Sequence, residues 1–414
     1  MTVTALRAVD RWIGVLVCLL LTLHRRMFDR RGEPGPIRRI LFLKLAEQGS
    51  TVLAADALNR AIERVGQQNV FFLVFLENRL ILDVMNVIPA ENVMTLDVRT
   101  LVTLARSTLS VLRRLRAVGA DATIDLEFFA RSSALFGYLS GARYRVGLHS
   151  HAGEGPYRGD LLTHRLVYNP YLHTSQLFRL MVDALDLPAS LFPALPSRPR
   201  ELPSSQIQYQ PPAQDVEAVR RLICARTHLS DIPPIILVNA NSSDLLPLRR
   251  WDRSRYVELA RRLLDANPEI CVVLTGGPGE ASEAARLADE VRSTRCFSLA
   301  GTTTMSQLLA LYSLSKVLVT NDSGPAHFAT LTPIDVVTLF GPETPVLFAA
   351  RTPRNHVLWA GIACSPCVNA YNNRTSACRT NVCMKAITVD EVLETVIGAY
   401  ARTTANPVQA PPGA

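Results

Sequence analysis

No apolar run in this sequence has the length of a bilayer. The candidate, Trp12 to Leu23, is twelve residues bracketed by Arg11 and by His24-Arg25-Arg26, whereas a spanning helix takes about 20. No Ala-x-Ala-like cleavage site follows it; Arg25-Arg-Met-Phe-Asp-Arg-Arg31 does. The segment reads as an uncleaved helix lying in or dipping into a membrane interface, with a buried packing helix and a secretion signal as the alternatives. A large excess of one charge sign is also missing from most of the chain. Of the net +8, residues 1–31 supply four, six arginines (Arg7, Arg11, Arg25, Arg26, Arg30, Arg31) against Asp10 and Asp29. The near-balanced remainder gives no nucleic-acid footprint, and basic residues beside an apolar run suit an anionic membrane surface.

Several chemical motifs are absent. There is no G-x-x-x-x-G-K-S/T loop for a P-loop nucleotidase and no G-x-G-x-x-G behind the first strand for a dinucleotide. There is no H-E-x-x-H for a zinc protease and no G-x-S-x-G for a hydrolase elbow. Gly276-Gly-Pro-Gly279 follows a strand but lacks the dinucleotide spacing, so it is a ligand loop or a plain turn. No internal repeat is evident.

What is present is an alternation of apolar strands and amphipathic helices. The chain has 414 residues, 48% hydrophobic and 19% charged, enough for two ordered domains. Strands are predicted at 39–45, 69–76, 93–98, 123–126 and 143–148, with helical periodicity over 51–65, 101–118 and 128–139. A stretch crowded with prolines (Pro188, Pro193, Pro196, Pro199, Pro203, Pro211, Pro212) then reads as a linker. The alternation restarts with strands at 235–239, 270–275, 296–299, 317–320 and 336–340 and a closing helix at 389–402. The predicted layout is a basic, apolar segment and linker (1–36), a first α/β domain (37–187), a proline-rich connection (188–233), a second α/β domain (234–404) and a disordered tail (405–414).

One stretch stands out. Val317 to Thr320 is a buried strand, Asn321-Asp-Ser-Gly324 lies at its carboxyl end, and Pro325 opens a helix. In an open parallel sheet, ligands bind at that end of the strands. Ser323 can cap the helix, Pro325 suits its first turn, and free N–H groups there attract phosphate. Asp322 and His327 would flank such a ligand. A capped strand-to-helix turn is the plainer alternative.

Asn321-Asp-Ser-Gly-Pro-Ala-His327, with Leu339-Phe-Gly-Pro-Glu-Thr-Pro345 behind it, resembles the signature of glycosyltransferase family 9, which includes the heptosyltransferases of the lipopolysaccharide inner core. The strand Ile40–Leu45 with its glycine loop is similar to that family's amino-terminal motif, and Arg249-Arg250-Trp251 to its Lys-x-Trp-Pro segment. The resemblance runs from about Arg39 to Val396 and implies a GT-B fold, two Rossmann-like parallel-sheet domains facing a central cleft. It implies metal-independent transfer with inversion, from a nucleotide-sugar donor on the second domain to a lipid-linked or lipopolysaccharide-type acceptor on the first. Ser323, Gly324 and the following backbone would cradle the diphosphate, with His327 near it and Asp322 on the sugar hydroxyls. Arg249, with Arg250 as the alternative, would neutralise phosphate charge. Glu280 would meet the ribose or merely start a helix, and Thr344 would line the donor site.

The chain departs from the family in its first loop. Glu47-Gln48-Gly49-Ser50 places Ser50 where the heptosyltransferases have the aspartate thought to be the base. A serine hydroxyl cannot serve as a base unaided, so Glu47 is the candidate, with helix capping or loss of catalysis as the other readings. Val238-Asn-Ala-Asn-Ser-Ser243 replaces a Pro-Gly turn, so heptose is not assumed as the donor. Cys364, Cys367, Cys378 and Cys383 have a spacing compatible with structural zinc, a disulfide or reduced thiols. Cys18, Cys224, Cys271 and Cys296 read as small buried hydrophobes. A non-catalytic sugar-nucleotide-binding scaffold, motivated by Ser50, and an epimerase on the same fold are the competing functions; no feature sets an oligomeric state.

Overall fold

The computed structural model describes residues 3–28, 35–199, 207–241 and 246–405. Outside them lie most of the Gly32–Pro36 break, Pro203, Ser242, Ser243 and the tail from residue 406. The chain divides into two compact units, Met1–Ser205 with Asn369–Thr375, and Gln206–Val368 with Ser376–Ala414.

The first unit is built on six strands, β1 (Ile40–Leu43), β2 (Val70–Phe75), β3 (Val93–Leu96), β4 (Ala122–Asp125), β5 (Tyr144–Leu148) and β6 (His164–Leu166). Their order is β3-β2-β1-β4-β5-β6, and every pairing is parallel. Ile-Leu-Phe-Leu in β1 is buried at all four positions, which is why it reads as an unbroken apolar run: helices cover both faces of a parallel sheet. The chain steps from β1 outward to β3, then returns to place β4 on the other side of β1. The reversal makes the carboxyl ends of β1 and β4 the place where a ligand fits this topology.

The second unit repeats the plan with β7 (Ile235–Asn239), β8 (Cys271–Leu274), β9 (Cys296–Ser298), β10 (Val317–Asn321), β11 (Asp335–Phe340) and β12 (Asn355–Trp359). The order β12-β11-β10-β7-β8-β9 is again wholly parallel, with its reversal between β7 and β10. The two-domain α/β fold of GT-B type implied by the resemblance is therefore present.

Three features differ from the sequence expectations. Both sheets carry an edge strand that the pattern missed, β6 and β12: His164-Arg-Leu is only three residues long with an arginine at its centre, and Asn355-His-Val-Leu-Trp is half-exposed, so neither has the apolar run of a central strand. Residues 213–227, inside the stretch taken as linker, form a helix, because Val219 and Ile223 bury one face of it. Asn369–Thr375, from the late part of the chain, belongs to the first unit. Tyr371 explains its place: its hydroxyl donates to the Tyr168 carbonyl at 2.6 Å, and its ring packs on Phe129 and Tyr168.

The second unit's core closes tightly beside β11. A β-carbon on Gly341 would lie 2.7 Å from Cγ of Met384, and closer still to its Sδ. Met384 is 1% exposed and cannot swing away into solvent. Gly341→Ala is expected to cost about 1–3 kcal/mol through overpacking. Thermal melts should show it, and Gly341→Ala with Met384→Ala should lose less than the sum of the single changes.

Candidate functional site

In the second unit, Asn321 ends β10 and is fully buried. Its side-chain oxygen accepts the Trp251 N–H at 3.1 Å and the Tyr256 hydroxyl at 3.0 Å. Its amide donates to the carbonyls of Ala240 and Asn241 at 3.1 and 3.2 Å. The residue thus bridges β10 to the loop behind β7, across the topological reversal. Every hydrogen-bonding group of its amide end is occupied, so Asn321 builds the site rather than meeting a ligand.

The next residue carries the charge. Asp322, 3% exposed, faces Arg249, whose Nε lies 3.3 Å from its carboxylate. Arg249 also pairs with Glu343, a fully buried carboxylate behind β11. Three segments far apart in sequence so converge at the carboxyl edge of the sheet, with one guanidinium between two carboxylates. The Arg249 side chain is only 17% exposed, so it is not a solvated surface charge. Arg250 beside it is exposed.

The other predicted residues are placed as follows. Ser323 does not cap its helix: its hydroxyl turns back to the Asn321 carbonyl at 3.1 Å and to Thr320 at 3.4 Å, and no side-chain cap bond forms. Pro325 does lie in the first turn. A β-carbon on Gly324 would press on the Phe328 ring at 3.0 Å. His327 is buried in the same short helix. Glu280 closes its own loop by accepting the Gly277 N–H at 2.7 Å, which is the helix-start role. Thr344 caps the turn Pro345–Phe348 by accepting the Val346 N–H at 3.2 Å.

In the first unit, β1 runs into Lys44, whose side chain is wholly buried, and then into Glu47. The Lys44 ammonium lies 3.3 Å from Glu127, in the loop behind β4, and 3.7 Å from Glu47. Glu127 is fixed in turn by the N–H groups of Leu45 and Ala46, at 2.7 and 2.9 Å. Arg374, delivered by the late segment, pairs with Glu47 and lies over the Phe128 ring at 5.4 Å. Ser50 donates to the Glu47 carbonyl at 3.0 Å and reaches its carboxylate at 3.3 Å. Glu47 itself has φ 66° and makes no helix-capping bond. A glutamate held in the left-handed region costs about 1–3 kcal/mol and persists only where neighbours hold it. Its side chain is 27% exposed, so it is open to solvent.

Lys44, Glu127, Arg374 and Glu343 were not among the predicted site residues. A lysine ending an apolar strand and the glutamate of Gly341-Pro-Glu-Thr344 were signals available in the sequence; nothing local marked Glu127 or Arg374. Behind β5, burial, then Arg165 and His151, push His149 down to about 4, so it is neutral near pH 7. Among the described residues, no three His, Cys, Asp or Glu side chains are grouped to hold a metal ion. The late cysteines are free thiols, Cys364 exposed and Cys383 buried.

The chain is similar to known proteins over much of its length. The model of glycosyltransferase family 9 (heptosyltransferase) matches residues 108–377. Lipopolysaccharide heptosyltransferase 2 of Escherichia coli is 26% identical over 217 residues, 51% of this chain and 58% of that protein. Its counterpart in Salmonella typhimurium is 30% identical over 136 residues, 33% of this chain and 39% of that protein. The matched stretches thus span less than two thirds of these relatives. Among solved structures, the E. coli ADP-heptose lipopolysaccharide heptosyltransferase II superposes with a TM-score of 0.64 at 19% identity, over 88% of this chain and 99% of that one. A family 9 glycosyltransferase of Veillonella parvula gives 0.67 at 15%, over 90% and 100%. At those identities the likeness is one of fold. With the family match covering more than half of the sequence, the chain belongs to glycosyltransferase family 9, the heptosyltransferase family.

Proposed function

We propose that the protein is an inverting, metal-independent glycosyltransferase. It moves heptose or another hexose-like sugar from a nucleotide-diphosphate donor to a lipopolysaccharide-type or lipid-linked acceptor at the cytoplasmic membrane face. The observation that carries this reading is Arg249 held between Asp322 and Glu343 at the second unit's topological reversal. The carboxylate of Asp322 suits sugar hydroxyls, and the guanidinium suits a phosphate that it shares with its two partners. The backbone of Ser323 and Gly324 lies alongside to receive the diphosphate.

Chemically, the acceptor oxygen attacks the anomeric carbon from the face opposite the diphosphate. The bond to the diphosphate breaks, and the acceptor's proton passes to Glu47. Lys44 and Arg374, both paired with that carboxylate, hold it in place. An attacking hydroxyl grows more acidic as its bond to carbon forms, so a weak base suffices late in the step. The departing negative charge falls to Arg249 and to fixed N–H dipoles.

The test is a thermal-shift screen of ADP-, UDP- and GDP-sugars, ADP-heptose first because the E. coli neighbour is named for it. A donor present at about 100 times its dissociation constant stabilises by about 2.7 kcal/mol. One nucleotide class is expected to raise the melting temperature and then to support transfer to a lipid-linked glycan acceptor. No shift with any of them would sink the reading. Ser50 at the family's aspartate position favours one rival, a sugar-nucleotide-binding scaffold, which would show the shift with neither transfer nor donor hydrolysis.

A further inference from the structure

The helix Val3–Phe28 has two unlike faces. One is fastened to the first unit. Asp10 accepts the N–H groups of Arg131 and Ser132 at 3.0 and 2.9 Å, at the start of the helix Arg131–Leu139. Thr22 accepts the Asp160 N–H at 2.8 Å, and Arg25 reaches the Asp160 carbonyl and carboxylate at 2.5 and 2.8 Å. Gly159, with φ +71°, lets the helix come this close: a β-carbon there would lie 2.9 Å from the Cys18 carbonyl and 2.7 Å from the Thr22 hydroxyl. The packing-helix alternative therefore holds for this face.

The opposite face is apolar and open. Trp12 is 71% exposed, Leu16 62%, Leu20 66% and Met27 65%, with Ile13 and Leu23 between them. Their spacing of three and four residues places all six in one band along the helix. A contiguous apolar band of this kind marks an interaction surface. Exposed Arg11, set over the Trp12 ring at 5.6 Å, and Arg26 border it. The helix has one acid, Asp10, and Arg131 already uses it.

We propose that this face inserts shallowly into an anionic phospholipid bilayer, with the helix in the membrane plane and the first unit fastened beneath it. Charge complementarity selects the occupant. A second copy of the same face would set arginines against arginines, whereas anionic headgroups match them. The fastened face carries Asp10, Thr22 and Arg25, which fit the protein and not a hydrocarbon core, and no described helix is long and apolar enough to cross a membrane. The helix rests on Arg131–Leu139, directly behind the loop of Glu127 and Phe128, so binding would bring the membrane to the element that carries the acceptor-side residues.

The test is sedimentation of the full chain with phosphatidylcholine vesicles, with and without phosphatidylglycerol. It uses no sugar transfer, so its failure is distinguishable from failure of the transferase reading. The expected result is pelleting with the mixed vesicles, weakened by added salt, and a blue shift of tryptophan emission that Trp12→Phe diminishes. Leu16→Glu with Leu20→Glu, both on the open face, should lower partitioning at least tenfold with an unchanged circular-dichroism spectrum. Binding that survives the double substitution, or wild-type protein that stays in the supernatant, overturns the proposal. So does light scattering that shows a wild-type dimer split by the same substitutions while the vesicles bind nothing.

Discussion

Glu47→Gln is expected to lower the turnover of sugar transfer by about 10²–10⁴-fold, the usual worth of a positioned general base. The donor-induced thermal shift should be unchanged, because Arg249, Asp322 and Glu343 are in the other unit. The amide is nearly isosteric and still accepts from Ser50, while Lys44 keeps its 3.3 Å pair with Glu127. Loss of folding is therefore not the expected cause, and a melt of the variant checks it. A carboxylate has two places to sit in this loop, three residues apart. Glu47→Gln with Ser50→Asp restores the family's arrangement, and partial recovery of transfer would show that a base at this edge of the sheet is what the loop supplies. Full activity in Glu47→Gln would remove the glutamate from the mechanism.

The same loop shows what a linear reading reaches and where it stops. Glu47 was legible because the family's aspartate was missing three residues later. Its setting was not. Lys44 ends a strand whose apolar neighbours hide it, Glu127 arrives from β4 and Arg374 from a segment more than three hundred residues away. Only the fold brings these charges together. The central strands of both sheets were legible because burial on two faces demands continuous apolar sequence. β6 and β12 were not, since β6 is three residues around an arginine and β12 is half-exposed with a mixed composition. In the second unit, Asp322 and Arg249 were named from the sequence and the fold brings them together, but Glu343, the fully buried partner of the arginine, was not singled out. The side chains of Ser323 and Glu280 each hydrogen-bond their own loop, a use that the sequence position alone does not announce.

Arg249→Met should be the most destabilising change at the proposed donor site. Asp322 and Glu343 are 3% and 0% exposed, and the arginine is the cation between them. Its removal takes that cation away from two buried carboxylates, and breaking such a pairing costs about 3–5 kcal/mol. A unit of this size loses about 2–4 °C per kcal/mol, so the melting temperature should fall by roughly 10 °C. Arg249→Lys should land between, because a single ammonium cannot span both carboxylates as the planar guanidinium does. The stability loss alone would leave two explanations for lost donor binding, a damaged fold or a missing phosphate ligand. Arg249→Met combined with Asp322→Asn and Glu343→Gln separates them: with both carboxylates neutralised as well, much of the stability should return. Asp322→Ala in the wild-type background adds the sugar-side control, since it leaves Arg249 paired with Glu343. If the neutral triple variant regains its melting temperature yet shows no shift with any nucleotide sugar, Arg249 and Asp322 bind the donor. If donor binding returns along with stability, the cluster is scaffolding, and the diphosphate must be held elsewhere on this edge of the sheet.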